Sequence, residues 1–316
     1  MPPADQPATP RLHEPSAFWQ RLGAEHADAL RDHGFEHFKR RQALRYFTWQ
    51  WRAGAASRSE QLAFLLRHSS PLTLARAAAV GPAELAPERW APLPWSAADR
   101  WLYVFAIRLL WSYAAEHDPL GVLDLKEPEL GDPLLVPWRG RHVSQDLANG
   151  ALEAAAIGSA LGRRAPTSIL EVGGGYGRTA YVLCNLWPGA SYTIVDIEPA
   201  ISISRWYLTR LFPDRDLRFV PAAEASSLGR DYDLALSISS LQEMRADQVE
   251  AYLRLMDGAL RPGGTVYLKQ WFEWHNPDDD ATLRFADYPF PARWTRLFFE
   301  TCPVQTRFGQ AAWRVP

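Results

Sequence analysis

The chain has 316 residues, 47% apolar and 22% charged, enough length and hydrophobicity to bury a full core without disulfide or metal staples. A formal net charge of −2 provides no general pull toward nucleic acid or an anionic membrane, which argues against both as partners. Cys184 and Cys302 stand in no CxxC or CxxxH spacing, and no basic stretch followed by an apolar run opens the chain, so a cytoplasmic enzyme is expected.

From about Ser16 to His117 the sequence is rich in Trp, Leu, Ala and Arg, with helical periodicity and few β-branched residues. Helices are predicted over Ala17–His33, Glu36–Trp51, Ser59–His68 and Ser96–Glu116, with breaks at Pro71, Pro82, Pro87 and Pro92. The most apolar long segment, Trp95 to Ala115, is interrupted by Asp99, Arg100 and Arg108 and reads as a buried amphipathic helix, not a membrane span. A proline- and glycine-punctuated stretch from Pro119 to Arg141 reads as a surface linker. Residues 1–140 are therefore expected to form a helical unit serving as a lid, a substrate-binding part or a homodimer face, and residues 141–316 a catalytic core.

The second half changes pattern. A helix over Val143–Leu161 leads into apolar runs at Ser168–Val172, Ser191–Val195, Leu217–Val220, Leu234–Ile238 and Thr265–Gln270. Helices are predicted between them at Arg178–Leu186, Pro199–Phe212 and Asp247–Leu260. This alternation predicts an α/β fold with a mostly parallel sheet covered on both faces. Pro262-Gly263-Gly264 reads as a turn ahead of the fifth strand, and Arg296–Glu300 with Thr306–Arg314 as a closing antiparallel pair.

The most informative feature follows the first strand: Glu171-Val172-Gly173-Gly174-Gly175-Tyr176-Gly177. Adjacent glycines allow positive φ and remove the Cβ atoms that would keep a ligand from the backbone, and the next helix offers free N–H groups. Asp196 ends the second strand about 20 residues on, the distance at which a carboxylate reaches a nucleoside ribose, with Ile197 beside it. An NAD site would require G-x-G-x-x-G/A, but the last position here is Arg178. Glu171 can accept hydrogen bonds from an ammonium, which suits S-adenosylmethionine (SAM). Ala223 and Glu224, after the third strand, lie where an adenine edge would be read, with a solvated surface carboxylate as the alternative for Glu224. Gln145, opening the helix before the sheet, is a further candidate cofactor contact, with helix capping as its structural alternative.

Ligands of open α/β sheets bind beyond the carboxyl ends of the strands, here Ser239-Ser240-Leu241-Gln242-Glu243-Met244 and Lys269-Gln270-Trp271. Ser239 would then touch the cofactor. Methyl transfer is an in-line displacement needing an aligned acceptor and removal of its proton. Glu243 is the first candidate base, with His275 and His142 as rivals; Lys269 either positions an acceptor oxygen or pairs with a carboxylate. Trp49, Trp51, Trp271 and Trp274 are candidates for an aromatic acceptor wall. The Asp278-Asp279-Asp280 run can in principle bind magnesium, but an acidic surface loop is the expectation and no metal site is assigned.

The segments Ile169–Arg178, Ser237–Met244 and Tyr267–Trp271 resemble the sugar O-methyltransferases of bacterial glycoside and polyketide pathways, as do Val143–Leu147, Phe38-Lys39-Arg40 and Tyr46-Phe47-Thr48-Trp49. The resemblance implies a class I methyltransferase, that is, a Rossmann-like, seven-stranded mostly parallel sheet. It also implies SAM as donor and a hydroxyl of a sugar or glycosylated secondary metabolite as acceptor. Methylation of nitrogen or carbon, another SAM-using reaction, and a SAM-binding scaffold without turnover are the alternatives. A base in the pocket favours oxygen, and a purely aromatic pocket favours the other enzymatic readings.

Overall fold

The apolar runs after residue 167 assemble one sheet of seven strands: β1 (Ser168–Val172), β2 (Ser191–Asp196), β3 (Leu217–Pro221), β4 (Tyr232–Ile238), β5 (Leu260–Trp271), β6 (Thr295–Thr301) and β7 (Phe308–Arg314). In the computed structural model, which describes residues 15–41, 43–51, 56–162, 164–276 and 280–316, their spatial order is β3-β2-β1-β4-β5-β7-β6. The first five are parallel and β7 inserts antiparallel between β5 and β6. Alternate β1 residues enter different cores: Ile169 joins a cluster with α5 (Gln145–Leu161), α6 (Arg178–Leu186) and α7 (Ala200–Leu211), and Leu170 one with α8 (Ala246–Ala259). Burial on both faces is why β1 reads as an uninterrupted apolar run.

Strand order reverses between β1 and β4. That leaves a crevice at their carboxyl ends, where the glycine turn and the Ser239–Met244 segment meet.

The amino-terminal helices α1 (Ala17–His33), α2 (Ala56–Arg67), α3 (Pro71–Ala78) and α4 (Ala97–Glu116) follow the sequence with three differences. Pro71 opens α3 instead of breaking the chain, because Ser70 caps it and proline at the first turn forfeits no helical hydrogen bond. The described residues of the predicted helix Glu36–Trp51 instead form turns and one short 3-10 stretch, Leu44–Phe47. Its backbone donors find other partners: Trp49 N–H donates to Asp146 Oδ1 at 2.7 Å and Trp51 N–H to Gln145 Oε1 at 3.1 Å. The predicted linker carries a short hairpin, Val136–Trp138 with Arg141–Val143. Pro262-Gly263-Gly264 lies within β5, where Gly263 N–H donates to Val315 O at 3.0 Å. Among the described residues, no helix is long and apolar enough to cross a membrane.

A buried ion triad ties the layers together. Glu153 of α5 accepts from Arg178 at the start of α6 and from Lys269 of β5, the latter at 2.7 Å. Burial pushes the Glu153 carboxyl up, but the two cations and their hydrogen bonds outweigh it and hold it below the usual carboxylate range. Removing the carboxylate leaves two cations buried without it. Glu153→Ala is therefore expected to lose about 3–5 kcal/mol in urea unfolding; a loss below about 1 kcal/mol would show that the triad does not hold these elements.

Candidate active site

The glycine turn is shaped first by packing. A Cβ on Gly173, whose φ is +75°, would lie 1.9 Å from Ser240 Oγ, and one on Gly174 would lie 2.9 Å from Ile194 Cγ2. Gly175, at φ +58°, meets only Phe47 at 3.7 Å and lines the open cavity. Its N–H donates to Asp196 Oδ2 at 2.9 Å, while Ile197 N–H donates to Oδ1 at 2.8 Å. These bonds aim the carboxylate along the cavity edge. Burial pushes Asp196 up to about 7, against the pull of the two N–H groups. Glu171, under the turn, accepts from the Tyr192 hydroxyl at 2.8 Å, and burial likewise lifts it to about 7.

The opposite wall is the end of β4, locked to the end of β5 by two glutamines. Gln242 accepts from Trp271 N–H at 3.0 Å through Oε1 and donates to Ser239 Oγ at 2.9 Å. Gln270 accepts from Gln242 N–H at 3.3 Å and donates to Ser237 O at 3.1 Å. Ser239 is held at φ +56°, a conformation costly for a residue with a side chain, with its N–H on Lys269 O at 2.7 Å. The resulting bend directs Glu243, on the 3-10 turn Leu241–Glu243, into the cavity. Glu243 is buried, and burial pushes its carboxyl up to about 7 although Tyr46, Gln242 and Trp19 hydrogen-bond to it.

Between these walls lies a cavity of about 370 Å³, within the range of small-molecule sites. Glu171, Gly173, Gly174, Gly175, Asp196, Ser239 and Glu243 all line it. So do Trp49, Trp51, Trp271 and Trp274. Residues not anticipated from the sequence complete it: Trp19, Tyr46 and Phe47 from the amino-terminal part, Arg58 and Gln61 of α2, and Gln305 and Phe308 near β7. Tyr46 and Phe47 lie in a segment that carries the family resemblance, and the i,i+3 spacing of Arg58 and Gln61 puts them on one helix face.

Other candidates lie elsewhere. Lys269 is buried on Glu153 and Gln305, with Nζ 4.8 Å from the Trp49 ring centroid, so of its two predicted roles the structure has carboxylate pairing. His275 is exposed on a hairpin and contacts Thr282 Oγ1 at 3.1 Å, and His142 is exposed on the hairpin before α5; neither lines the cavity. Gln145 supports Trp51 N–H from outside the cavity lining, while Ser144 caps α5. Ala223 and Glu224 are exposed on the 3-10 turn after β3, adjoining the Asp196 end of β2 through the Asp196–Pro221 pair. Of the acidic run, Asp278 and Asp279 lie outside the described residues.

Residues 170–266 match the family model of a methyltransferase domain. No curated protein matches the chain. Among solved structures, the chain is similar to the 1,6-didemethyltoxoflavin N1-methyltransferase of Burkholderia thailandensis, whose structure holds 1,6-didemethyltoxoflavin and S-adenosylhomocysteine (21% identity, 52% of this chain and 77% of that one, TM-score 0.42). It is also similar to the mitomycin 7-O-methyltransferase MmcR (17% identity, 54% and 56%, TM-score 0.40) and to the [4+2]-cyclase SpnF (15% identity, 56% and 84%, TM-score 0.45). The sheet order and the matched domain define a class I methyltransferase fold. The matched domain makes the protein a methyltransferase.

Three carboxyls of the cavity and Glu127, which lies outside it and accepts from Ser144 N–H at 3.0 Å, make stability depend on pH. Glu127, Glu171 and Glu243 rise from 4.5 to about 7 and Asp196 from 3.8 to about 7, each chiefly through burial. Between their unfolded and folded values, the unfolded chain has released protons that the folded chain retains, so stability falls as pH rises through that window. The ligand-free protein should therefore lose melting temperature from about pH 4.5 to pH 7, and less steeply in Glu243→Gln. A melting curve rising across that interval would refute the assignment.

Proposed function

We propose that the enzyme methylates a hydroxyl of a small-molecule acceptor, a sugar or glycosylated secondary metabolite, with Glu243 as general base. The observation that carries this reading is a buried carboxylate whose acidity lies near neutrality, set between the glycine turn and the aromatic wall of one cavity. A base with a pKa near the working pH suits proton removal from a weakly acidic hydroxyl. Its presence favours oxygen over the nitrogen, carbon and scaffold alternatives. When bound, SAM supplies an electrophilic methyl group on its sulfonium.

The chain's own residues do the rest. Asp196, held by the Gly175 and Ile197 N–H groups, has remaining lone pairs for the ribose hydroxyls. Glu171 accepts from the ammonium, and Gly173–Gly175 with Ser239 give the cofactor room against the backbone. Ala223 and Glu224 extend the same edge toward the adenine. Trp49, Trp51, Trp271 and Trp274 exclude water and offer stacking faces to a sugar or its aglycone. The described residues between 15 and 140 then act as the substrate-side cover over the core at 141–316.

Asp196→Ala should weaken SAM binding about 10- to 100-fold by calorimetry, the equivalent of losing charge-assisted hydrogen bonds; unchanged affinity would remove the ribose assignment. Incubation of the protein with methyl-labelled SAM and a panel of glycosides, read by mass spectrometry, should yield a labelled O-methyl product. With that acceptor, Glu243→Gln should lower kcat about 100-fold or more while sparing SAM affinity. Full turnover at all pH values would eliminate Glu243 as the base, and label found only on nitrogen or carbon would eliminate the hydroxyl acceptor.

A further inference from the structure

Glu243 is held from the far side of the cavity by residues about 200 positions earlier in the chain. The Tyr46 hydroxyl donates to Oε1, and the Trp19 indole N–H donates to Oε2 at 3.1 Å. Ser16 Oγ donates to the Glu243 carbonyl at 2.9 Å while also accepting from Trp19 N–H at the start of α1. One residue of the core thus receives hydrogen bonds from both α1 and the 3-10 turn, Leu44–Phe47. Mere docking of a cover would not require both carboxylate oxygens to be engaged.

The donors are themselves fixed by ring packing. Trp19 and Tyr46 meet edge to face, centroids 5.7 Å apart, and Trp19 stacks near Phe47 at 6.4 Å. Phe18 contacts Tyr46 at 6.0 Å and Trp274, on the acceptor wall, at 6.3 Å. Neither donor can follow Glu243 if the carboxylate rotates, so the pair defines its orientation.

We infer that Tyr46 and Trp19 are positioning residues that orient the Glu243 carboxylate and favour its ionised form, so that the amino-terminal segment completes the active site. Each carboxylate oxygen accepts one of these bonds and carries a second lone pair, so the group is oriented without being consumed. Both donors favour the charged state, whereas burial and the Asp196 carboxylate oppose it. Gln242 supports the charged state from the core side; Tyr288, whose hydroxyl burial and Glu243 both hold un-ionised, is a further titratable neighbour, and the buried His26 packs against both donor rings, 6.2 Å from Trp19 and 6.0 Å from Tyr46 between centroids. The inference rests on Glu243 being the base.

The test follows the proton itself. The full-length protein is labelled with glutamate carrying carbon-13 at its carboxyl, and the resonance absent in Glu243→Gln is assigned. Its midpoint should lie near pH 7 and rise by about one unit in Tyr46→Phe, with Trp19→Phe as a second variant moving the same way. With the acceptor from the glycoside screen, the acidic limb of the kcat profile should move with it. A one-unit rise costs about fivefold at pH 7, recovered by pH 9. An unmoved midpoint in both variants, even with lower thermal stability, would overturn the positioning role and leave the base assignment intact. A midpoint that moves in an enzyme for which Glu243→Gln retains full turnover would instead sink the base assignment. A moved midpoint with a pH-independent loss of kcat would also overturn the inference, because positioning through ionisation predicts recovery.

Discussion

Everything at this site depends on how closely the turn after β1 approaches the end of β4. Gly173 has no space for a side chain because Ser240 occupies it, and Ser240 is there because Gln242 and Gln270 cross-link the ends of β4 and β5. The fold's topology opens a crevice at that point whatever the sequence. The glycine and the two glutamines determine its width, and therefore where the carboxylates of Asp196 and Glu243 stand relative to one another.

A second constraint works from outside the sheet. At the end of the segment 36–51, the N–H groups of Trp49 and Trp51 are satisfied by the Asp146 and Gln145 side chains of α5. Lys39, on the same segment, is buried among aromatic rings, 4.6 Å from the Tyr176 centroid and 4.5 Å from that of Tyr207. Burial lowers its amine to about 8, while the carboxylates of Asp146 and Glu127 oppose that shift. The cavity wall formed by Phe47, Thr48 and Trp49 is thereby anchored to the helices that carry the sheet.

Much of this architecture was legible in the residues because the forces behind it are local. β1 and α6 have the predicted bounds, since an apolar run buried on both faces and a helix opening on glycine leave clear patterns. α1 and α4 follow their serine caps. The glycine turn, Asp196, Ser239 and Glu243 fall around one cavity because strand ends alone place them there. The misreadings are tertiary. Glu36–Trp51 has helical spacing, but side chains of a helix 100 residues later compete for its donors. Ser70-Pro71 was a helix-start signal read as a break. Tyr46 and Trp19 could not be connected with Glu243 by spacing, and Lys269, equally plausible beside an acceptor, found a buried carboxylate.

The tether between α5 and the wall segment grips main-chain N–H groups. Those two hydrogen bonds exist whatever side chains positions 49 and 51 carry. The segment can therefore present altered surfaces to a small molecule while keeping its register against the sheet. The chemistry of the donor site and the shape of the acceptor site are, in this construction, separable: one is fixed by a glycine whose side-chain space Ser240 already fills, the other by a ribbon whose register two main-chain hydrogen bonds keep.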